Sequence, residues 1–360
     1  MLSRVLSGDL PRSRALSLVL LVIFVGLALA PFLFPGTRSL ETAARISVFI
    51  ALAASYDLML GYAGIVSFAH TMFFGMGAYG VALACENMER GFLPVVVGTL
   101  AGALAAAVVA LAIGLFSLRV RAIFFAMITL AVASAVAVLV SQLSALTGGE
   151  DGLSFSIPRE LTPAYKFADV RILGVAMNGK LLNYYLVFGG SLLIFLVLLR
   201  VVNSPFGRVL QAIRENDFRA EAIGYRVVAY RTIATCLSAA CAALAGSLFA
   251  IWLRYVGPGT AMGFEIMIDV LLMVVIGGMG TLYGAAIGAT LLVLAQNYLQ
   301  AVMAGAAEAT AGLPLVPDLM NPDRWLLWLG LLFIASIYFF PAGVVGRLRQ
   351  GRAGSGVTKP

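Results

Sequence analysis

Runs of about twenty apolar residues, repeated along nearly the whole chain, constrain this sequence more than any other feature. In lipid no water is at hand for backbone N–H and C=O groups, so a spanning segment is a helix or part of a closed barrel. A barrel needs short strands of alternating polarity, and the sequence shows none. A helix crosses the hydrocarbon in about 20 residues. On that measure spans are expected at 15–34, 45–61, 65–85, 93–117, 121–143, 182–201, 228–255, 265–280, 282–302 and 324–340. Hydrophobic residues make up 61% and charged residues 11%, with a mean hydropathy of +1.00. Soluble domains carry about 25% charged residues. The expected fold is therefore all-α, a polytopic membrane protein of about ten transmembrane helices. The first span follows Arg4, Arg12 and Arg14 as a signal peptide would, but its apolar core is too long for one. It reads as a retained anchor.

The net charge of +7 is sorted by membrane side, which explains it without nucleic acid. With ten spans and an inner N-terminus, one side collects Arg119, Arg121, Arg200 to Arg231, Arg347, Arg349, Arg352 and Lys359 besides the N-terminal arginines. The other side collects acids such as Glu41, Glu86, Glu89, Glu150, Asp151, Glu265 and Asp323. Cytoplasmic loops carry the Lys and Arg, so both termini and the segment 202–227 are expected in the cytoplasm. The division is a cytoplasmic stretch 1–14, a transmembrane domain 15–341, and a basic cytoplasmic tail 342–360. Within the domain, 144–181 is a long external loop, either a cap on the bundle or a surface for a partner. Cys85, Cys236 and Cys241 fit neither a disulfide framework nor a metal spacing.

The cytoplasmic insert is a polar, basic island between spans. Ser204 and Pro205 suit a helix start, and Phe206, Val209, Leu210 and Ile213 then form one apolar stripe. Asp217 is suited to cap a second short helix, Phe218 to Ile223, that Gly224 ends. Two readings stay open on these residues: a rigid knob for another protein, or a surface helix whose arginines meet anionic lipid.

Ser204-Pro-Phe-Gly-Arg208 with Ala212-Ile-Arg214-Glu-Asn216 and Ala220-Glu221-Ala-Ile-Gly224 resembles the cytoplasmic loop of permease subunits of bacterial ABC importers for branched-chain amino acids. Gly61-Tyr-Ala-Gly64-Ile-Val-Ser67-Phe-Ala-His70 and Val275-Ile-Gly277-Gly278-Met-Gly280 resemble that family's two glycine-rich regions. Thr147-Gly148-Gly149-Glu-Asp-Gly152 is similar to the external loop of its larger, M-type permease. The resemblance covers roughly residues 45 to 340. It implies uptake of leucine, isoleucine and valine, with urea or short amides carried by close relatives. It implies as partners two ATP-binding subunits, a second homologous permease subunit and an extracytoplasmic substrate-binding protein, with no enzymatic activity or cofactor in this chain. It also implies that Arg214, Glu215, Asn216, Asp217, Arg219, Glu221 and Gly224 form the surface that couples to the ATPases.

Gly75-Met-Gly77-Ala-Tyr-Gly80 spells a dinucleotide fingerprint, but inside an apolar span it reads as close packing or a helix break. Gly280, Gly284 and Gly288, four apart, read as one face for tight helix contact. Gly61, Gly64 and Ser67, and Gly277, Gly278 and Gly280, interrupt apolar stretches. Broken helices survive in membranes where protein or a watery cavity surrounds them, so both regions are expected to line or gate the path, or else to pack tightly. His70 is the single histidine, expected either in a hydrogen bond within the bundle or near the pathway. Asp57 and Asp269 lie within apolar segments, where a carboxylate costs roughly 2.5 to 3.5 kcal/mol at the helix centre. Each is expected to face the bundle interior, as a substrate or gate contact or as a structural bond. A rival, ion-coupled transport, would rely on Asp57, His70 and Asp269 as its relay. Walker A and HExxH patterns are absent from the sequence.

Overall fold

The structure, a computed structural model, describes residues 14–33, 36–117, 122–172, 175–309, 321–339 and 343–350. Most of the N-terminal stretch 1–14, Arg119, Arg121, and Arg352 and Lys359 of the basic tail lie outside these residues. The helices are α1 (Arg14–Leu33), α2 (Thr37–Asp57), α3 (His70–Asn87), α4 (Phe92–Ser117), α5 (Ala122–Gln142) and a single turn α6 (Ser144–Thr147). After the external loop come α7 (Gly179–Val202), α8 (Pro205–Glu215), α9 (Asp217–Ala222) and α10 (Val227–Leu253). A turn α11 (Pro258–Ala261) leads to α12 (Phe264–Gly277), α13 (Leu282–Ala309), α14 (Trp325–Phe339) and α15 (Gly343–Gln350).

Among the described residues, eight helices are long and apolar enough to cross a membrane. The other two expected spans coincide with α3 and α14, and α3 is shorter than its apolar stretch. For α3 the cause is local: residues 63–69 are not helical, so the expected span 65–85 starts at His70. The all-α expectation holds for the spans. The external loop adds two small antiparallel sheets: β1 (Leu153–Ser154) pairs with β4 (Tyr255–Val256), and β2 (Lys166–Ile172) with β3 (Val175–Asn178). Pairing Leu153 with Val256 pins the 144–181 loop onto the end of α10.

At the centre stands α2, buried from Thr42 to Asp57 apart from the half-buried Arg45, with α7, α10, α12 and α13 packed around it. Large apolar side chains such as Leu104, Phe116, Ile123 and Met127 point outward, as a lipid-facing surface requires. Close packing is made by small residues. A Cβ on Gly77 would run into the Ala243 carbonyl, and one on Gly80 would meet the Gly98 carbonyl at 2.6 Å. Thus α3, α4 and α10 approach backbone to backbone, and the fingerprint-like glycines lie within an unbroken helix. Gly284 and Gly288 behave as expected, against Gly277 and Met273 of α12. Gly280 does not belong to that face; it lies before α13 with φ +81°.

One packing contact repairs a defect of sequence. Pro31 has no N–H to give the Leu27 carbonyl four residues back. Tyr184, fully buried on α7, donates its hydroxyl to that carbonyl at 2.5 Å. Tyr185 does the same for Ala28 at 3.0 Å. Tyr184→Phe is expected to cost about 1 kcal/mol, seen as a lower thermal unfolding temperature in detergent; an unchanged temperature would refute the role given to the hydroxyl.

Candidate functional site at the helix breaks

Two helix breaks and the polar insert meet at one end of the bundle. The first break begins where α2 loosens into a π turn, Leu58–Tyr62. Its wider ladder, with Ala63 N donating to Leu58 O at 3.2 Å, ends the helix and hands over to Gly64 at φ +69°. Single π turns are frequent at functional sites. Ser67 then accepts from Ala69 N at 3.2 Å, and His70 opens α3.

The second break follows Gly277. Gly278 and Gly280 adopt φ of +117° and +81°, and Thr281 donates to the Gly278 carbonyl at 2.7 Å. Positive φ is what glycine supplies at low steric cost.

Asp57 joins the two breaks. Its Oδ1 accepts from Gly280 N at 2.8 Å, and the residue is wholly buried. A Cβ on Gly61 would overlap both that oxygen and Gly280 N. The two backbones therefore touch across the carboxylate.

Arg214 ties the insert to the same point. Its Nη1 donates to the Gly61 carbonyl, and a Cβ on Gly280 would stand 2.6 Å from that nitrogen. A Cβ on Gly64 would meet Arg214 Cγ at 3.2 Å. Arg214, expected among the coupling residues, is exposed on the last turn of α8, and its guanidinium reaches the breaks.

The insert itself forms as its caps dictate. Ser204 accepts from Gly207 N at 3.5 Å with Pro205 at the first helical position. Leu210 and Ile213 of the predicted stripe are buried. The second helix starts one residue earlier than expected, because Asn216, not Asp217, has the extended backbone of a cap and accepts from Arg219 N at 2.9 Å. Asp217 takes Phe218 N at 3.0 Å and faces Arg231 at 3.8 Å. Ala220 packs with Ile213 and Val227, seating α9 on α10. The outer face of this short helix, with Glu221, Gly224 at φ +96°, and Arg219, is exposed together with Glu215 and Asn216. Phe218 is 83% and Ile223 67% exposed. Neither is among the residues expected at the coupling surface, although apolar residues within a polar knob and off the stripe are a signal the sequence carries.

His70 sits elsewhere, 1% exposed, with Nε2 at 2.8 Å from Ser55 Oγ. Ser55 spends its one proton on Leu52 O at 2.7 Å, so Nε2 carries the hydrogen and donates. Asp269 lies toward the opposite end of the bundle, where Gln296 donates to it at 2.9 Å. Among the described residues no hydrogen bond joins any two of Asp57, His70 and Asp269. None of the described residues forms a cluster of histidine, cysteine and carboxylates able to hold a metal.

Residues 39–337 match the family model described as "Branched-chain amino acid transport system / permease component". The chain belongs to this family. The matched segment takes in both breaks and the insert. The permease is 28% identical over 311 residues to the high-affinity branched-chain amino acid transport system permease protein LivM of Salmonella typhimurium, covering 82% of this chain and 70% of that one. The corresponding protein of Escherichia coli is 27% identical over the same shares. The autoinducer 2 import system permease protein LsrC of Klebsiella pneumoniae is 30% identical over 281 residues, covering 76% of this chain and 74% of that relative. No solved structure matches the permease. It is a multi-pass membrane component of a transport system.

Proposed function

We propose that this permease moves leucine, isoleucine and valine into a bacterial cell across the inner membrane, as one subunit of an ABC importer. Energy comes from ATP hydrolysis in two separate ATP-binding subunits. A second homologous permease completes the membrane part, and an extracytoplasmic binding protein delivers the substrate. Both termini and the segment 202–227 lie in the cytoplasm, and the 144–181 loop faces outside, following the distribution of Lys and Arg.

The observation that carries this reading is α9: a short helix capped by Asn216, anchored through Ala220, and presenting Phe218 and Ile223 to solvent at the basic end. Exposed apolar side chains rimmed by Arg219 and Glu221 suit a groove in a partner protein. Asn216, Arg219, Glu221 and Gly224 shape that docking knob, with Glu215 and Asp217 at its base. Asp57, Gly61, Gly64, Gly277, Gly278 and Gly280 serve as the gate that it moves, with Ser67 and His70 behind it. Ion-coupled transport draws no support from the separate partners of Asp57, His70 and Asp269.

The test is co-purification of tagged permease with its ATP-binding subunits from native membranes. Wild type is expected to retain them, and Phe218→Asp or Glu221→Arg to lose at least roughly nine-tenths, since an apolar anchor of an interface is worth 2 kcal/mol or more. Wild-type permease that is intact yet recovers no ATPase would refute the reading.

A further inference from the structure

A cavity of about 580 Å³ opens between α2, α7, α10, α12 and α13 at the end of the bundle opposite to α8 and α9. That volume lies within the range of small-molecule sites, about 300–1,000 Å³. Its lining is unusual for a helix bundle because it combines charges of both signs with a wall of aromatic rings. Arg45 and Phe49, one turn apart on α2, share a face, and the guanidinium lies 5.3 Å from the Phe49 ring centre. Phe249 on α10 meets Phe49 edge-on at 6.0 Å. Asp269 on α12 lines the cavity among these groups.

Two polar atoms at the cavity are left without a partner, while Asp269 accepts from Gln296 at 2.9 Å. The Nε of Arg45 is buried without a hydrogen-bond partner, and so is Oδ1 of Asn183, a residue only 4% exposed that also lines the cavity. Arg45 and Asp269 interact electrostatically, yet no ion pair within 4 Å joins them among the described residues. Two half-buried charges serving only to neutralise each other would gain by closing to a direct contact, since holding them apart keeps part of the desolvation cost and forgoes the attraction. Ionisable groups kept inside a membrane protein at such cost mark substrate pathways.

We propose that this cavity is the permease's own substrate site, and that it takes a zwitterionic α-amino acid with an apolar side chain. Arg45 accepts the carboxylate in its planar fork, Asp269 holds the ammonium, and Phe49 and Phe249 enclose the side chain. The proposal rests on the import reading above and adds a selectivity filter within this chain, beyond that of the delivering protein. Arg38, Glu41, Lys180, Arg254 and Glu265 also line the cavity, and a neutral solute such as urea makes no charge–charge contact with any of them.

The complete transporter, with its partner subunits and binding protein, is reconstituted in proteoliposomes, and initial uptake of labelled leucine and valine is measured. Arg45→Gln and Asp269→Asn are each expected to lower leucine uptake at least roughly tenfold, because the partner charge on the ligand is left unpaired. Arg45→Lys is expected to recover part of the loss. Phe249→Trp narrows the wall and is expected to raise the valine-to-leucine uptake ratio at least roughly threefold, a shift that loss of folded protein alone does not produce. Near wild-type uptake in both charge variants, or an unmoved ratio in Phe249→Trp, would overturn the site while leaving the import reading intact. Wild type that assembles and hydrolyses ATP but takes up neither amino acid overturns the import reading, and the site with it.

Discussion

Gly61→Ala is expected to leave little folded permease and no measurable uptake. The added Cβ falls on Asp57 Oδ1 and on Gly280 N. Neither is a loose chain end that swings aside. The carboxylate is fully buried and held at 2.8 Å to that same Gly280 N, and the nitrogen belongs to a backbone with φ +81°. Accommodating one methyl group therefore means separating the two breaks, with loss of a buried hydrogen bond. Overpacking and a broken buried polar contact together cost about 3 kcal/mol or more. Gly189→Ala supplies the control, because a Cβ there meets nothing within 4 Å and the position lies inside α7. That change is expected to be neutral or mildly stabilising, by up to about 1 kcal/mol. The check is the yield of monodisperse protein and its thermal unfolding temperature in one detergent. A Gly61→Ala protein as stable as Gly189→Ala would show that the breaks do not depend on this contact.

The sequence made some of this legible and hid the rest for physical reasons. Apolar length fixed the membrane body, since lipid leaves the backbone few options. Caps fixed the insert: Ser204 with Pro205 is a local signal, read over three residues, and it appears where expected. The start of α9 slipped by one residue because Asn216 and Asp217 are both good caps, and only the backbone conformation decides between them. The glycines announced breaks but not their mutual contact, since Gly61 and Gly280 are 219 positions apart and composition carries no such distance information. Asp57 stands out in the sequence as an inward carboxylate with a choice of roles; its acceptance of Gly280 N, a contact between distant segments, is what marks it as the joint between breaks. Arg214 shows the same limit. Its place in a basic insert announces an exposed residue, which it is, but not the contact of its guanidinium with the Gly61 carbonyl. Arg45 carries no such signal, because a single arginine near the start of an apolar span looks like a topology residue until its aromatic and acidic neighbours are known.

Arg214→Ala is expected to separate ATP hydrolysis from transport. The docking knob does not need this side chain: Asn216 still caps α9, Ala220 still packs against Ile213 and Val227, and Phe218 and Ile223 remain exposed. ATP-binding subunits should therefore still co-purify, and the complex should still hydrolyse ATP. What disappears is the link between α8 and the first break, where Nη1 meets the Gly61 carbonyl, and the packing of Cγ beneath Gly64. A displacement of α9 then reaches the breaks only through the helices covalently joined to the insert. Leucine uptake per ATP hydrolysed is expected to fall at least roughly tenfold, because the lost bond is charge-assisted and worth about 1.5–3 kcal/mol. Arg214→Lys restores charge but not the planar fork, so its coupling is expected between the two. The measurement is uptake and hydrolysis on the same proteoliposomes, beside Phe218→Asp, in which both are expected to fall together. Should Arg214→Ala transport as many leucines per ATP as wild type, the force from the knob travels by another route, and the contact at Gly61 is packing alone.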